Sequence, residues 1–128
     1  MGKKVLVVED HADSREMLKI TLTSEGYSVI TSEDGQVGLD VAKRERPDII
    51  ITNINMPNMD GIEMVEHLRQ QPELADVIIV VLSAVRTEDP RAFINAGVNA
   101  VLSKPVQLKE LLQTMSGALN AIASNNKS

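Results

Sequence analysis

Short aliphatic runs alternate along this chain with segments of helical periodicity, and this order constrains the fold more than any other feature. Five runs rich in β-branched residues lie at 5–8, 27–31, 48–52, 77–82 and 100–102. A strand that lies parallel to its predecessor cannot follow a tight turn, because the chain must first cross back over the sheet, usually as a helix. The alternation therefore predicts βαβ units, a parallel sheet and helices on both of its faces.

The segments between the runs carry apolar residues at helical spacing. Helices are predicted at 14–24, from Val37 to before Pro47, from Gly61 onward with Asp60 as the N-cap, at 90–96 and at 107–122. The first of these helices places Met17, Leu18, Ile20 and Leu22 near helical spacing. We expect one domain over 1–122 and a frayed tail over 123–128, since no linker or repeat divides the chain.

The composition is that of one globular domain with an aliphatic core. The chain has 128 residues, of which 43% are hydrophobic but only 2% aromatic. So few aromatic rings argue against single-strand nucleic-acid binding by base stacking, and the net charge of −5 opposes contact with a phosphate backbone. We therefore expect no direct nucleic-acid partner. The absence of cysteine excludes disulfides and thiolate metal sites.

The first apolar run also bears on where the protein resides. It spans only 5–8, which is too short for a signal peptide or a membrane span. We therefore expect a cytoplasmic protein without a membrane partner.

Polar residues follow four of the five predicted strands, at the points where the strands end. They are Glu9-Asp10, Asn53, Ser83-Ala84 and Ser103-Lys104-Pro105. Open α/β sheets place their sites at the carboxyl ends of the strands, so these side chains are expected to meet at one edge. A nucleotide-binding enzyme of the same architecture lacks support, because no glycine-rich phosphate loop follows the first strand.

These residues, together with the stretch NMPNMDG at 55–61, resemble the receiver domain of two-component response regulators over about 3–121. The resemblance implies a flavodoxin-like (βα)5 domain whose parallel strands take the order 2-1-3-4-5. It also implies a signalling module rather than an enzyme. The implied partner is a sensor histidine kinase or a phosphotransfer protein, which would donate a phosphoryl group to the module.

The resemblance further implies a Mg²⁺ pocket. The positions that would hold the cation are Glu9, Asp10, Asn53 and the backbone carbonyl of Asn55. The positions that would stabilise the phosphoryl group are Lys104, Ser83 and Ala84. Ser83 and Val101 would form the conformational switch. The Lys104–Pro105 bond would be cis, because only an X–Pro bond has a cis form within about 1 kcal/mol of trans.

Asn53 stands where the family has its phosphoacceptor aspartate. A neutral carboxamide is not the oxygen nucleophile that phosphoryl transfer needs, so we expect no acyl phosphate at this position. Loss of one carboxylate should weaken Mg²⁺ binding without abolishing it, since an amide oxygen can still coordinate a hard cation. Lys104 is then expected to pair chiefly with Asp10.

Val101 stands where the family usually has an aromatic switch residue. It has no ring to move and is stiff at χ1, so the coupling between the pocket and the output face should be altered or weaker. That face is formed by the fourth helix, the fifth strand and the fifth helix. We expect a homodimer or effector contact there, around Arg91, Asn95 and Lys109.

Two explanations of Asn53 are open, and they lead to different functions. It is either an aspartate replaced to trap the unphosphorylated state, which the otherwise intact pocket favours, or the natural residue of a divergent receiver. The alternative function is therefore a pseudo-receiver that acts as a phosphate-independent protein–protein adaptor.

Each candidate residue also has a plainer interpretation. The acidic pair at 9–10 could cap the next helix, Ser83 could simply precede a helix, and Lys104–Pro105 could form an ordinary turn. For His11 and His67 the plainer interpretation is the better one, because no second histidine lies near either in sequence. Both are expected at the surface rather than as ligands.

Overall fold

The computed structural model describes residues 2–54, 59, 61–83 and 90–125. Within these ranges, strands and helices alternate along the chain. The elements are β1 Lys4–Val8, α1 Ala12–Ser24, β2 Ser28–Ser32, α2 Gly35–Glu45, β3 Ile49–Asn53, α3 Gly61–Arg69, a 3-10 turn at Pro72–Leu74, β4 Ile78–Ser83, α4 Pro90–Ala96, β5 Ala100–Ser103 and α5 Leu108–Asn125. The predicted order of elements is confirmed.

The five strands form one sheet in the order β2-β1-β3-β4-β5, and every pair of neighbours is parallel. The predicted flavodoxin-like topology is therefore confirmed. The chain passes from β1 to β2 on one side and then from β2 to β3 on the other side of β1, so the strand order reverses at β1. The crevice at such a reversal is where open α/β sheets bind their ligands.

Four strands end one residue later than the apolar runs predict, and three of them end at buried polar residues. β2, β3 and β4 end at Ser32, Asn53 and Ser83, each a buried polar residue. The register explains this, because Asn53 is paired with Leu82 and Ser83 with Ser103 in the ladder. Hydrophobicity marks only the part of a strand that enters the core, whereas backbone pairing continues into the polar site. At the other end of the chain, α5 continues to Asn125.

Alternate residues of the strands supply two apolar layers, one on each face of the sheet. One layer packs against α2, α3 and α4 and includes Leu6, Val8, Ile50, Met64 and Phe93. The other packs against α1 and α5 and includes Val5, Val7, Ile51, Leu22 and Met115. The core is aliphatic apart from Phe93, as the composition predicts.

Helix α1 buries less of its apolar surface than its sequence suggests. Leu22 is fully buried and Leu18 half-buried, whereas the side chains of Met17 and Ile20 are 69% and 59% exposed. Leu18 and Leu22 are four residues apart and share one face of the helix, while Met17 and Ile20 share another. Only the first pair faces the sheet, because one helical stripe can contact it.

Arg69, the last residue of α3, ties the start of β5 to the rest of the domain. Its Nε and Nη2 donate to the Gly97 carbonyl oxygen at 3.1 and 2.8 Å, and Nη2 also donates to Asn99 Oδ1 at 2.9 Å. Asn99 Oδ1 accepts in turn from the Ile79 N–H in β4 at 2.7 Å. This network positions the strand that leads to the lysine of the site.

Asp34 is the N-cap of α2, and its replacement gives a first prediction. Its Oδ1 accepts a hydrogen bond from the Val37 N–H at 2.8 Å. Asp34→Ala should lower the free energy of unfolding by about 1 kcal/mol, because the cap bond is lost. Asp34→Asn, which can cap equally well, is the control. Urea denaturation that found Asp34→Ala as stable as Asp34→Asn would contradict the assignment.

Candidate functional site

Three strand ends meet at the carboxyl edge of the sheet and bring together residues that are far apart in sequence. Glu9 and Asp10 follow β1, Asn53 ends β3, and Lys104 follows β5. Asn53 is hydrogen-bonded to both Glu9 and Asp10, and Lys104 forms an ion pair with Glu9. The predicted convergence of these residues is therefore present in the structure.

Glu9 is the buried anion of the site, with only 2% of the residue exposed. Its Oε1 lies 3.7 Å from Lys104 Nζ, and its Oε2 accepts from Asn53 Nδ2 and from the His11 N–H at 3.3 Å. A buried carboxylate is costly unless it is paired and hydrogen-bonded. Glu9 meets both conditions.

Asp10 is half-buried at the rim of the pocket, and its Oδ1 accepts from Asn53 Nδ2 at 3.3 Å. Burial is the largest single influence on its pKa and would raise it. The hydrogen bonds that the carboxylate accepts from its own backbone and from Asn53, together with its interactions with Glu9 and His11, outweigh burial and lower the pKa below its ordinary value. The Asp10 carboxyl is therefore ionised at neutral pH.

Asn53 lies at the centre of the pocket with 4% of the residue exposed. Its Nδ2 donates to both Glu9 Oε2 and Asp10 Oδ1, while its buried Oδ1 has no hydrogen-bond partner among the described residues. Exchanging the oxygen and the nitrogen would place an acceptor against two carboxylates. Only one orientation of the amide is therefore compatible with its neighbours.

Lys104 pairs with Glu9 and not with Asp10, so the expected pairing was wrong. Glu9 is the more deeply buried anion and needs a cation beside it, whereas Asp10 lies at the rim and is already held by the Asn53 amide. The Lys104 N–H donates to the Ser83 carbonyl oxygen at 2.7 Å, and the Lys104–Pro105 bond is cis. The cis bond agrees with the sequence prediction.

The two switch positions lie on adjacent strands. Ser83 is buried at the end of β4, with Ser103 of β5 opposite it. Val101 is half-buried and packs against the apolar layer that contains Phe93 of α4. An aromatic ring is therefore present in this layer, although it comes from α4 rather than from position 101.

Some predicted positions lie outside the described residues. They are Asn55 with its backbone carbonyl, Ala84 and the N-cap Asp60. The neighbouring Gly61 is described, and its N–H donates to the Ile54 carbonyl oxygen at 2.6 Å at the start of α3.

Arg15 is part of the site but is absent from the sequence prediction. Its Nη1 donates to the Glu9 carbonyl oxygen at 2.9 Å and so holds the turn between β1 and α1. No sequence signal identifies it, because an arginine on the exposed side of a predicted helix is ordinary. His11 contributes only its backbone N–H to Glu9 and is exposed, and His67 is half-buried on α3.

The groups that line the pocket are poorly arranged for a divalent cation. Carboxylates such as Glu9 and Asp10 are the ligands that Mg²⁺ prefers. The Asn53 atom that faces both of them, however, is a hydrogen-bond donor rather than a ligand. In the described part of the chain, no three His, Cys, Asp or Glu side chains are grouped to hold a metal ion. As arranged, these residues do not fit the cation.

The topology and the position of this pocket define a class, the flavodoxin-like α/β proteins with a site at the carboxyl ends of their strands. Within that class, the family model of the response regulator receiver domain matches residues 5–116. The chain belongs to this family, whose members are modules of two-component signal transduction. None of the described helices is both long and apolar enough to cross a membrane.

Three known proteins illustrate the likeness. The sensor histidine kinase RcsC of Salmonella typhi is 38% identical over 111 residues, which are 87% of this chain but 12% of RcsC, so the chain spans only a small part of that relative. The chemotaxis response regulator CheY4 of Vibrio cholerae is 34% identical, with a TM-score of 0.87 over 92% of this chain and 99% of that one. The receiver domain of the sensor histidine kinase PA1611 from Pseudomonas aeruginosa PAO1 is 31% identical, with a TM-score of 0.79 over 88% of this chain and 96% of that one. Its structure has a magnesium ion coordinated in the active-site cleft.

Proposed function

We propose that this chain is a receiver module whose phosphorylation is disabled by Asn53. The observation that carries the proposal is the buried amide at the end of β3, which faces two carboxylates with its nitrogen. Phosphoryl transfer requires an oxygen nucleophile beside a cation that neutralises the developing charge. The Asn53 amide supplies neither the nucleophile nor a third anionic ligand.

The other groups that the chemistry needs are present around this position. Lys104 lies at the mouth of the pocket with its ammonium beside Glu9, and Ser83 ends the neighbouring strand. A charged lysine and a hydroxyl are suited to stabilising phosphoryl oxygens. A phosphoryl donor for such a pocket would be a sensor histidine kinase or a phosphotransfer protein, and the module itself would not be an enzyme.

Magnesium binding should also be weak, because Asn53 is not a carboxylate. With Asn53 the pocket has two carboxylates and one lysine in place of three carboxylates and one lysine. Both carboxylates also already accept hydrogen bonds from the amide. A cation that prefers anionic oxygen ligands therefore gains less from this pocket.

The output face would be formed by α4, β5 and α5. Arg91, Asn95 and Lys109 are exposed on it, together with Ile94, which is 67% exposed. An exposed aliphatic side chain beside charged and polar groups suits contact with an effector or a second copy of the chain. Val101 lies half-buried beneath this face and offers no ring at the switch position.

A constitutive adaptor is the second candidate function. It is favoured by the hydrogen bonds from the Asn53 amide to Glu9 and Asp10, because they give both carboxylates a donor without any phosphate. In either case we propose a cytoplasmic protein–protein module that does not bind nucleic acid directly. Both a natural origin of Asn53 and an engineered one are compatible with this function.

Intact mass after incubation with acetyl phosphate and Mg²⁺ tests the proposal. The chain itself should gain no phosphoryl group, whereas Asn53→Asp should gain one, because only the variant has a carboxylate nucleophile. Asn53→Asp/Lys104→Ala is the control and should label more slowly. Labelling of the native chain would refute the proposal. Failure of both proteins to label would favour the constitutive adaptor.

A further inference from the structure

We propose that the Asn53 amide takes the place of a divalent cation between Glu9 and Asp10 and competes with it, rather than acting as a weak ligand. The inference deepens the proposed function and rests on it only for the biological setting. Its physical basis is the pair of hydrogen bonds from one Nδ2 group to one oxygen of each carboxylate.

The amide nitrogen is well matched to this position. An Asn NH2 group has two hydrogens, and each can be directed at a different acceptor. Glu9 Oε2 and Asp10 Oδ1 belong to consecutive residues, so a single donor between them bridges the acidic pair as a metal ion would. Lys104 neutralises the other oxygen of Glu9, at 3.7 Å. The pocket is therefore partly neutralised by the protein's own groups.

The orientation of the Asn53 amide shows that the hydrogen bonds of its nitrogen matter more than a hydrogen bond to its oxygen. Oδ1 is buried and has no hydrogen-bond partner in the part of the chain that the structure describes, which is an unfavourable state for a polar atom. The side chain nevertheless keeps its nitrogen toward the two acids. The hydrogen bonds to charged acceptors therefore outweigh the unsatisfied acceptor.

A cation can enter only at the expense of this arrangement. If Oδ1 were to coordinate an ion, the amide would have to turn by about half a revolution and give up its bonds to Glu9 and Asp10. If the amide kept its orientation, its N–H groups would point at the ion. In both cases the Asn53 side chain opposes the cation.

This reasoning predicts that removing the amide improves cation binding. Titration calorimetry with Mg²⁺, in the absence of any phosphoryl donor, should give Asn53→Ala a dissociation constant about three- to tenfold lower than that of the native chain. Asn53→Asp should bind more tightly still and is the positive control. If the amide oxygen were instead a ligand, Asn53→Ala would bind Mg²⁺ more weakly than the native chain. That result, or equal affinity, would overturn the proposal.

A measurement on the native chain keeps the test independent of the variant's folding. The side-chain NH2 signals of Asn53 in a ¹⁵N-labelled sample, assigned by their absence in Asn53→Asp, report its hydrogen bonds directly. At a Mg²⁺ concentration that saturates Asn53→Asp, these signals should be unchanged. Mg²⁺ binding to the native chain that left the Asn53 NH2 signals in place would show that the amide and the cation coexist in the pocket and would overturn the proposal.

These experiments separate this inference from the proposed function. The inference fails when the order of Mg²⁺ affinities is reversed, whatever the mass spectra show. The proposed function fails when the native chain is labelled by acetyl phosphate, whatever the affinities. Tighter Mg²⁺ binding by Asn53→Ala without labelling of Asn53→Asp would support the amide bridge and favour the constitutive adaptor.

Discussion

Asn53→Asp should be less stable than the native chain by about 3 kcal/mol in metal-free buffer and should regain most of that loss in Mg²⁺. The substitution replaces a donor that bonds Glu9 and Asp10 with a third acceptor at a position that is only 4% exposed. Three carboxylates would then share one lysine. The new carboxyl escapes part of the repulsion by remaining protonated, with a raised pKa. Urea denaturation in EDTA and in Mg²⁺ measures both stabilities.

The stabilising effect of Mg²⁺ should be specific to Asn53→Asp. Because the native amide already neutralises part of the pocket, Mg²⁺ should change the unfolding free energy of the native chain little. Asn53→Ala, which leaves two carboxylates and the lysine without adding a charge, should lie between the two proteins in metal-free buffer. Equal stability of Asn53→Asp and the native chain in EDTA would mean that the amide bridge contributes nothing to folding.

Gly61→Ala should destabilise the fold by at least about 3 kcal/mol. A Cβ at this position would lie 2.3 Å from the Asn53 carbonyl oxygen and 3.0 Å from the Ile54 Cα. Both neighbours are backbone atoms, so neither can move away as a flexible side chain would. The contact is close because the Gly61 N–H bonds to the Ile54 carbonyl oxygen at the start of α3. Urea or thermal unfolding of the variant measures the loss.

Gly117→Ala is the matched control for that substitution. Gly117 lies within α5, and a Cβ there would meet no described atom within 4 Å apart from its chain neighbours and the adjacent backbone of its own helix. Alanine favours a helix interior over glycine, so this variant should be more stable than the native chain by about 0.5–1 kcal/mol. If Gly61→Ala were tolerated as well as Gly117→Ala, the close approach of α3 to the end of β3 would be wrong.

Periodicity in the sequence was sufficient to predict the alternation of strands and helices and a parallel sheet. An aliphatic run such as 77–82 indicates a strand buried on both faces, and the amphipathic segments between such runs indicate crossovers over a parallel sheet. Parallel strands end at one edge, so the convergence of Glu9, Asn53 and Lys104 follows from the same pattern. The strand order itself came from the resemblance to receiver domains.

Tertiary structure decided which of these groups pair. Lys104 contacts Glu9 rather than Asp10, the Asn53 nitrogen rather than its oxygen faces the acids, and Arg15 holds the turn after β1. Each result depends on burial and on distances between strands. Neither can be inferred from the spacing of residues in the sequence. The sequence therefore determined which chemical groups share the pocket. Burial, through the cost of leaving a charge or a polar atom unpaired, determined how they are arranged.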